Sequence, residues 1–226
     1  MIRWFKWAGG ALFVASLVYW LSWYLWHLDQ TAPAAAFDAA ALAFDALLFT
    51  IFAAHHSILA REPAKRALMF IPPHLRRSVY VWTASALLIV VCAEWRPIGG
   101  TVYHLTGAPA IVCALAQVAG VWLVAQSVSR IDALELAGIR AARKNDGGLQ
   151  TAGPYGLVRH PLYLGWIVFV FAAPHLTADR LVFAAISSSY LLIAVPWEER
   201  SLRQSFGESY VRYEHAVKWR VIPYVY

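Results

Sequence analysis

Apolar residues in this chain gather in long blocks rather than alternating with polar ones. Four runs, 7–28, 39–60, 78–95 and 109–128, reach or approach the ~20 residues that an α-helix needs to cross a hydrocarbon core ~30 Å thick. Two further runs, 161–174 and 179–197, are separated by "PHLTAD". The first of these is short for a span, which predicts a tilted or re-entrant hairpin with the second. Beyond residue 197 the pattern changes. Phe206, Tyr210, Tyr213 and Val217 recur at helical spacing among charged residues, predicting an amphipathic helix on the membrane surface or over the bundle. The expected fold is all-α: a polytopic transmembrane helix bundle of about six spans, the last two a hairpin, forming one integral membrane domain over 1–226. A cytoplasmic tail, 198–226, closes it.

Composition supports this reading. Of 226 residues, 60% are hydrophobic and 14% charged, whereas soluble domains carry about 25% charged residues. A net charge of +6 raises nucleic acid as a partner, but the basic residues fall in the gaps between apolar runs rather than along one stripe, so no nucleic acid is expected. Their distribution also orients the chain. Counting outward from the N-terminus, 17 Lys and Arg residues fall on its side of the bilayer and two, Arg96 and Arg180, on the other. The positive-inside rule then puts both termini in the cytoplasm, across the inner (plasma) membrane if the source is bacterial. The opening "MIRWFK" and the later "TAPAAA" resemble a signal peptide with its cut site. The apolar stretch between them exceeds the ~7–15 residues typical of such a signal and is studded with Trp and Tyr, so a retained helix is expected. Cys92 and Cys113 lie inside apolar runs without metal-ligand spacing and read as packing residues; no metal is expected.

Chemistry is then sought on the cytoplasmic side, where ionisable groups approach the membrane. In "GPYGLVRHPLYLG", residues 153–165, Pro161 suits the first turn of a helix. Arg159 and His160 precede that turn, placed either to bind an anion or to anchor at the headgroups. Glu198 and Glu199 follow an apolar run directly, able to hold a cationic or hydroxyl-bearing ligand or to pair with Arg200 or Arg203. In "HHS", His55, His56 and Ser57 end the second span. Adjacent helical residues diverge by ~100°, so only one of the two imidazoles can face a given pocket, as a proton acceptor for a thiol or as a packing histidine. "RIDALELAGIR", 130–140, reads as a cytoplasmic extension of the fourth span. There Asp132 and Glu135 belong to an ion-pair ladder with Arg130 or Arg140, or Glu135 serves as a pocket carboxylate. On the far side, Asp38, Asp45, Glu94 and Arg96 are expected to neutralise one another between spans.

Two of these clusters together resemble the isoprenylcysteine carboxyl methyltransferase superfamily of membrane enzymes, whose pattern is RHPxYxG, an apolar hairpin, EExxL, FGxxYxxY and a late proline. This chain has "RHPLYLG", "EERSL", "FGESYVRY" and "VIP" in that order, over roughly residues 150–223. In the N-terminal half, "AAHHSILAR", "EWRPI" and "LELAGIR" resemble the methanethiol S-methyltransferase, nurim and NnrU-like branch. The resemblance implies S-adenosylmethionine as cofactor, held in a pocket reached from the cytoplasm. His160, Tyr163 and the backbone around Val158 and Pro161 would hold its methionine part, with Tyr155 close by and Glu198 and Glu199 at its ribose or amine. Arg159 would be an acceptor-side or structural cation. A sulfonium donor needs alignment more than acid–base help, so His55 or His56 matters only if the acceptor is a thiol.

A small thiol such as methanethiol is the expected acceptor; a prenylated cysteine carboxylate or another lipophilic acceptor is the alternative. Membrane sterol reductases, which use NADPH, share the hairpin and a closing "WRVIPYVY"-like tail. Their RHxNYxGD pattern is broken here by Pro161, Leu162 and Trp166. A non-catalytic protein of the NnrU or nurim kind is a further alternative. A di-iron oxidase lacks its HxxHH spacing.

Overall fold

The structure, a computed structural model, describes residues 2–30, 38–59, 71–129, 133–140 and 148–226. Arg61, Lys65, Arg66, Arg130, Asp132, Arg143, Lys144 and the side chain of Ser57 lie outside what is described. The described elements, in chain order, are α1 (Ile2–Ser22), a π-helical turn (Trp23–His27), α2 (Ala39–Leu59), α3 (Pro73–Glu94), β1 (Thr101–His104) and α4 (Gly107–Val128). They continue with α5 (Ala133–Leu136), a 3-10 turn (Gly153–Gly156), α6 (Pro161–Phe171), β2 (His175–Thr177), α7 (Ala178–Phe206) and α8 (Glu208–Ala216). β1 and β2 pair as a two-stranded sheet.

Among the described residues, five helical segments are long and apolar enough to cross a membrane: Ile2–His27, Ala39–His56, Pro73–Glu94, Gly107–Val128 and Ala178–Phe206. The chain is therefore an integral membrane protein. α6 has 11 residues, a rise of about 16 Å at 1.5 Å per residue, roughly half of the hydrocarbon core. This is the short limb of the expected hairpin. α4 ends at Val128, and 133–136 form a separate single turn. The stretch expected to extend the fourth span into the cytoplasm, 130–140, begins with residues 130–132, which lie outside the described residues.

The chain divides into two compact units, one drawn from 1–101, 131–144 and 177–179, the other from 102–130, 145–176 and 180–226. In the first, α1 and α2 both pack on α3. Gly9 lets the α1 backbone meet Trp82, whose ring stacks on Phe5 and whose indole N–H donates to the Phe5 carbonyl at 3.1 Å. Asp38 caps α2 through the N–H groups of Ala40 and Ala41. Asp45, fully buried, accepts the Arg96 backbone N–H at 3.0 Å, while the Arg96 guanidinium lies 3.7 Å above the Phe44 ring. The expected mutual neutralisation is here a backbone contact and a cation–π contact. Buried Asp179 gathers three donors, the Trp95 indole and the N–H groups of Ile98 and Gly99.

In the second unit α4 and α6 pack backbone to backbone, because each contributes a glycine. A Cβ on Gly120 would come within 2.7 Å of the Gly165 carbonyl oxygen, and one on Gly165 within 2.8 Å of that of Gly120. Gln117 adds a hydrogen bond from its amide to the Phe169 carbonyl, 3.0 Å. At the other end, Gly207 at φ +53° separates α7 from α8, a left-handed conformation that glycine adopts without steric penalty. α8 then turns back so that Tyr210, Tyr213 and Val217 pack with Leu149, Tyr155, Leu202 and Phe206. The apolar stripe of the tail is spent on protein.

Candidate functional site

α6 begins where Pro161 fixes φ and has no N–H to satisfy. His160 stands at its N-cap, and its carbonyl accepts from the N–H groups of Tyr163 and Leu164. The backbone just before α6 is held by the tail: Arg159 N–H donates to the Trp219 carbonyl at 2.9 Å, and His160 N–H to that of Arg220 at 2.7 Å. Neither Arg159 nor His160 reaches out to headgroups. Both are buried, at 9% and 6% exposure, so the surface-anchor alternative does not apply to them.

What they face is α7. Pro196 inside this helix removes one backbone donor, and Glu198 and Glu199 follow it. Glu199, 1% exposed, is enclosed by cations. Its Oε1 accepts from Arg159 Nε at 2.7 Å and lies 3.5 Å from His160 Nε2, and Arg220 Nε is 3.1 Å from its Oε2. A buried carboxylate is tolerable only with such compensation. Arg159 is equally occupied: Nη1 donates to the carbonyls of Val217 and Lys218 at 2.7 and 3.0 Å. It acts as a rivet between α7 and the tail.

Glu198 is arranged differently. Its side chain is 45% exposed. The Tyr163 hydroxyl donates to Oε2 at 2.6 Å, and His160 Nδ1 stands 3.6 Å from the same oxygen. Oε1 has no hydrogen-bond partner among the described residues. The Tyr163 ring stacks on His160, centroids 5.3 Å apart and planes 14° from parallel. An open carboxylate beside an aromatic pair suits a positively charged or hydroxyl-bearing ligand. The two neighbouring glutamates thus differ in kind, one locked and one available.

Tyr155, on the 3-10 turn, donates to the Ser127 carbonyl at 3.3 Å and through its own carbonyl accepts from the Tyr213 hydroxyl at 2.7 Å. Burial, with the Glu198 charge adding to it, pushes the Tyr155 phenol above its ordinary range. Burial does the same to Tyr210 and Tyr213, so all three stay neutral. The Val158 side chain is fully buried, and Pro161 is buried with it. Trp166, where a reductase pattern asks for Asp, donates its indole N–H to Ser187 at 3.0 Å, which counts against that chemistry.

His55, His56 and Glu135 belong to the other unit. His56 Nδ1 is 2.6 Å from the Tyr80 hydroxyl, and His55 stacks on the Tyr80 ring at 5.0 Å. Glu135 offers its backbone carbonyl to Arg77 Nε at 3.0 Å. Sequence reasoning missed Arg220, counted only as one of the inward-side cations, and Tyr80. The "RVIP" block around Arg220 was the available signal for the first; nothing in the sequence singles out the second.

No family profile and no solved structure matches the chain. Individual proteins do. It is 36% identical over 186 residues to methanethiol S-methyltransferase 2 of Bradyrhizobium diazoefficiens, covering 78% of this chain and 71% of that protein. To the methanethiol S-methyltransferase of Mycobacterium tuberculosis it is 33% identical over 196 residues, covering 78% and 76%. To nurim of Danio rerio it is 29% identical over 171 residues, covering 68% and 62%. Five apolar spanning helices and these relatives define an integral membrane methyltransferase. The chain belongs to the methanethiol S-methyltransferase family, in the branch that also takes in nurim.

Proposed function

We propose that this enzyme takes its methyl group from S-adenosylmethionine and passes it to a small thiol, methanethiol before others. The observation that carries the donor assignment is the open Glu198 carboxylate beside the Tyr163–His160 stack. Its free oxygen and the aromatic face fit a cation bearing an amine and ribose hydroxyls. Glu198, Tyr163 and His160 would hold the donor, with Tyr155 and the Val158 backbone beside them. When bound, the donor supplies an electrophilic methyl on positively charged sulfur. Glu198 offsets that charge and orients the ligand, and the Tyr163 hydroxyl fixes the carboxylate rotamer. Glu199, Arg159 and Arg220 hold the N-terminus of α6 against the tail so that the open carboxylate stands at a defined place. Alignment of this kind contributes most where the electrophile is already activated.

The acceptor assignment follows the names of the relatives. We read both termini as cytoplasmic, a reading supported by the distribution of basic residues, 17 to two. The test is methyl transfer from isotopically labelled S-adenosylmethionine by purified enzyme in detergent, offered methanethiol, longer thiols and prenyl-cysteines. Labelled dimethyl sulfide is the expected product. Transfer to the prenyl-cysteine carboxyl alone would replace the acceptor. Absence of donor binding would remove the reading.

A further inference from the structure

β1 and β2 are short, yet a histidine stands on each. Two backbone bonds bracket them: the Leu105 N–H donates to the Pro174 carbonyl at 2.9 Å, and the Ala178 N–H to the Gly100 carbonyl at 3.0 Å. The strands therefore run in opposite directions, and His104 faces His175. Leu105 with Pro174 is a hydrogen-bonded position, so the next one inward, His104 with His175, is of the non-hydrogen-bonded kind. Side chains at such a position share one face of the sheet and approach most closely. The rings stack accordingly, with centroids 4.4 Å apart and planes 23° from parallel.

His104 is exposed and His175 half-buried, so an ion in solution can reach the pair. Each neutral imidazole carries one lone pair, and a ring that donates at one nitrogen still offers the lone pair of the other. Two Zn–N bonds of ~2.0–2.1 Å at a tetrahedral angle set their nitrogens ~3.3 Å apart. Rings stacked at 4.4 Å reach that spacing by turning about χ2, a broad torsion in histidine, with the strands left in place. The charged group that α7 brings to β2 is Arg180, which is buried and donates from Nη1 to the His175 carbonyl at 2.6 Å. Its charge weakens cation binding but occupies a backbone oxygen, not a ring nitrogen. Among the described residues no third histidine, cysteine or carboxylate completes a cluster, so water fills the remaining positions. Nitrogen ligands without a carboxylate favour a borderline ion over Ca²⁺ and Mg²⁺, which ask for oxygen.

We infer that His104 and His175 form a chelating site for a borderline divalent transition-metal ion, of which Zn²⁺ is the representative. The site is separate from the proposed donor pocket. His160 is the N-cap of α6 and His175 lies beyond its other end, so the 11 residues of that helix stand between them, a rise of about 16 Å. Binding is a ligand exchange: two waters leave the ion, two imidazole lone pairs replace them, and any imidazolium first gives its proton to solvent. The bound ion crosslinks the segment leading into α4 to the segment that follows α6. It thereby stabilises the folded protein by mass action.

The experiment uses the full chain without an affinity tag, purified in detergent, as wild type, H104Q, H175Q, the double variant, and H215Q, a control at an exposed histidine of α8. Each is titrated with Zn²⁺ against a chromophoric chelator and melted with and without the ion. H104Q and H175Q should each weaken Zn²⁺ binding at least about ten-fold, and H215Q should leave it within about two-fold of wild type. At about a hundred times Kd, Zn²⁺ should raise the wild-type Tm by about 5–10 °C. That shift should vanish with EDTA and in both strand variants, and Ca²⁺ and Mg²⁺ should produce none. If H175Q melts early without the ion, H104Q, at the exposed member of the pair, decides alone. Three results overturn the site: wild type that takes up no more Zn²⁺ than the double variant, wild-type affinity retained in H104Q, or an H215Q loss as large as that of H104Q.

Discussion

Replacing Glu199 with glutamine should damage the fold and replacing Glu198 should damage binding, although the two are neighbours. Glu199 is 1% exposed and contacts Arg159 at 2.7 Å and Arg220 at 3.1 Å. Glutamine keeps the shape, and its carbonyl can still accept from Arg159. Its NH₂, however, then faces the Arg220 guanidinium, donor against donor, and the buried Arg159 charge loses its counter-ion. Breaking a buried pair from one side costs about 3–5 kcal/mol. The Arg220 side chain is 36% exposed, so water screens its share and the lower end applies, about 3 kcal/mol. For a chain of this size 1 kcal/mol moves Tm by about 2–4 °C, so E199Q should melt about 6–12 °C early. The Glu198 side chain is 45% exposed, and exposed pairs contribute below about 1 kcal/mol; E198Q should melt within about 4 °C of wild type. Its donor affinity should instead fall on the order of 10- to 100-fold, from a lost charge-assisted contact of ~1.5–3 kcal/mol. Thermal unfolding in detergent by tryptophan fluorescence and calorimetric titration with S-adenosylmethionine measure the two effects separately. Adding R220Q to E199Q should recover part of the lost stability, because the unpaired cation goes too. The reasoning is refuted if E198Q melts as early as E199Q, or if E199Q melts with wild type.

Gly165→Ala should cost about 1–3 kcal/mol by overpacking, since its Cβ would meet the Gly120 carbonyl at 2.8 Å; thermal unfolding reads the loss. Tyr163→Phe keeps the stack on His160 but removes the 2.6 Å bond to Glu198. Donor Kd should rise roughly five- to ten-fold, about 1–1.4 kcal/mol, with Tm unchanged within about 2 °C, as titration beside a melt will show. Asp179→Ala strips the shared acceptor from Trp95, Ile98 and Gly99, and buried unpaired donors cost about 1–3 kcal/mol. The variant should melt early, with donor affinity of the protein that remains folded unchanged.

The spanning elements were legible because an apolar run of some twenty residues has few other structural uses. The run 109–128 became a helix at 107–128, 39–60 one at 39–59, and Pro161 opened its helix as expected. The short limb was legible too, though it ends at Phe171, short of the apolar run's end at 174. The meeting of Arg159, His160 and Tyr163 with the two glutamates could be anticipated from ordered motifs. Its division of labour could not: adjacent glutamates look alike in a sequence, and only packing leaves one enclosed and the other open. Arg220 was invisible as a partner because counting charges assigns a side of the membrane, not a neighbour 21 residues earlier. The Tyr210–Tyr213 stripe was ambiguous for a related reason, since lipid and protein ask for the same apolar face. Tyr80 carried no signal, being one aromatic residue in a helix rich in apolar neighbours.

The backbone pairing of Arg159 and His160 with residues 219 and 220 bears on biosynthesis. A ribosome delivers the chain from its N-terminus, so residues 159–199 emerge before the segment that clamps them. Until that segment follows, a nascent chain can thread its helices into lipid with Arg159 still lacking its three hydrogen bonds to tail carbonyls. Membrane insertion and the onset of activity are thereby separate events, and an intermediate stalled near residue 205 would be anchored but inert.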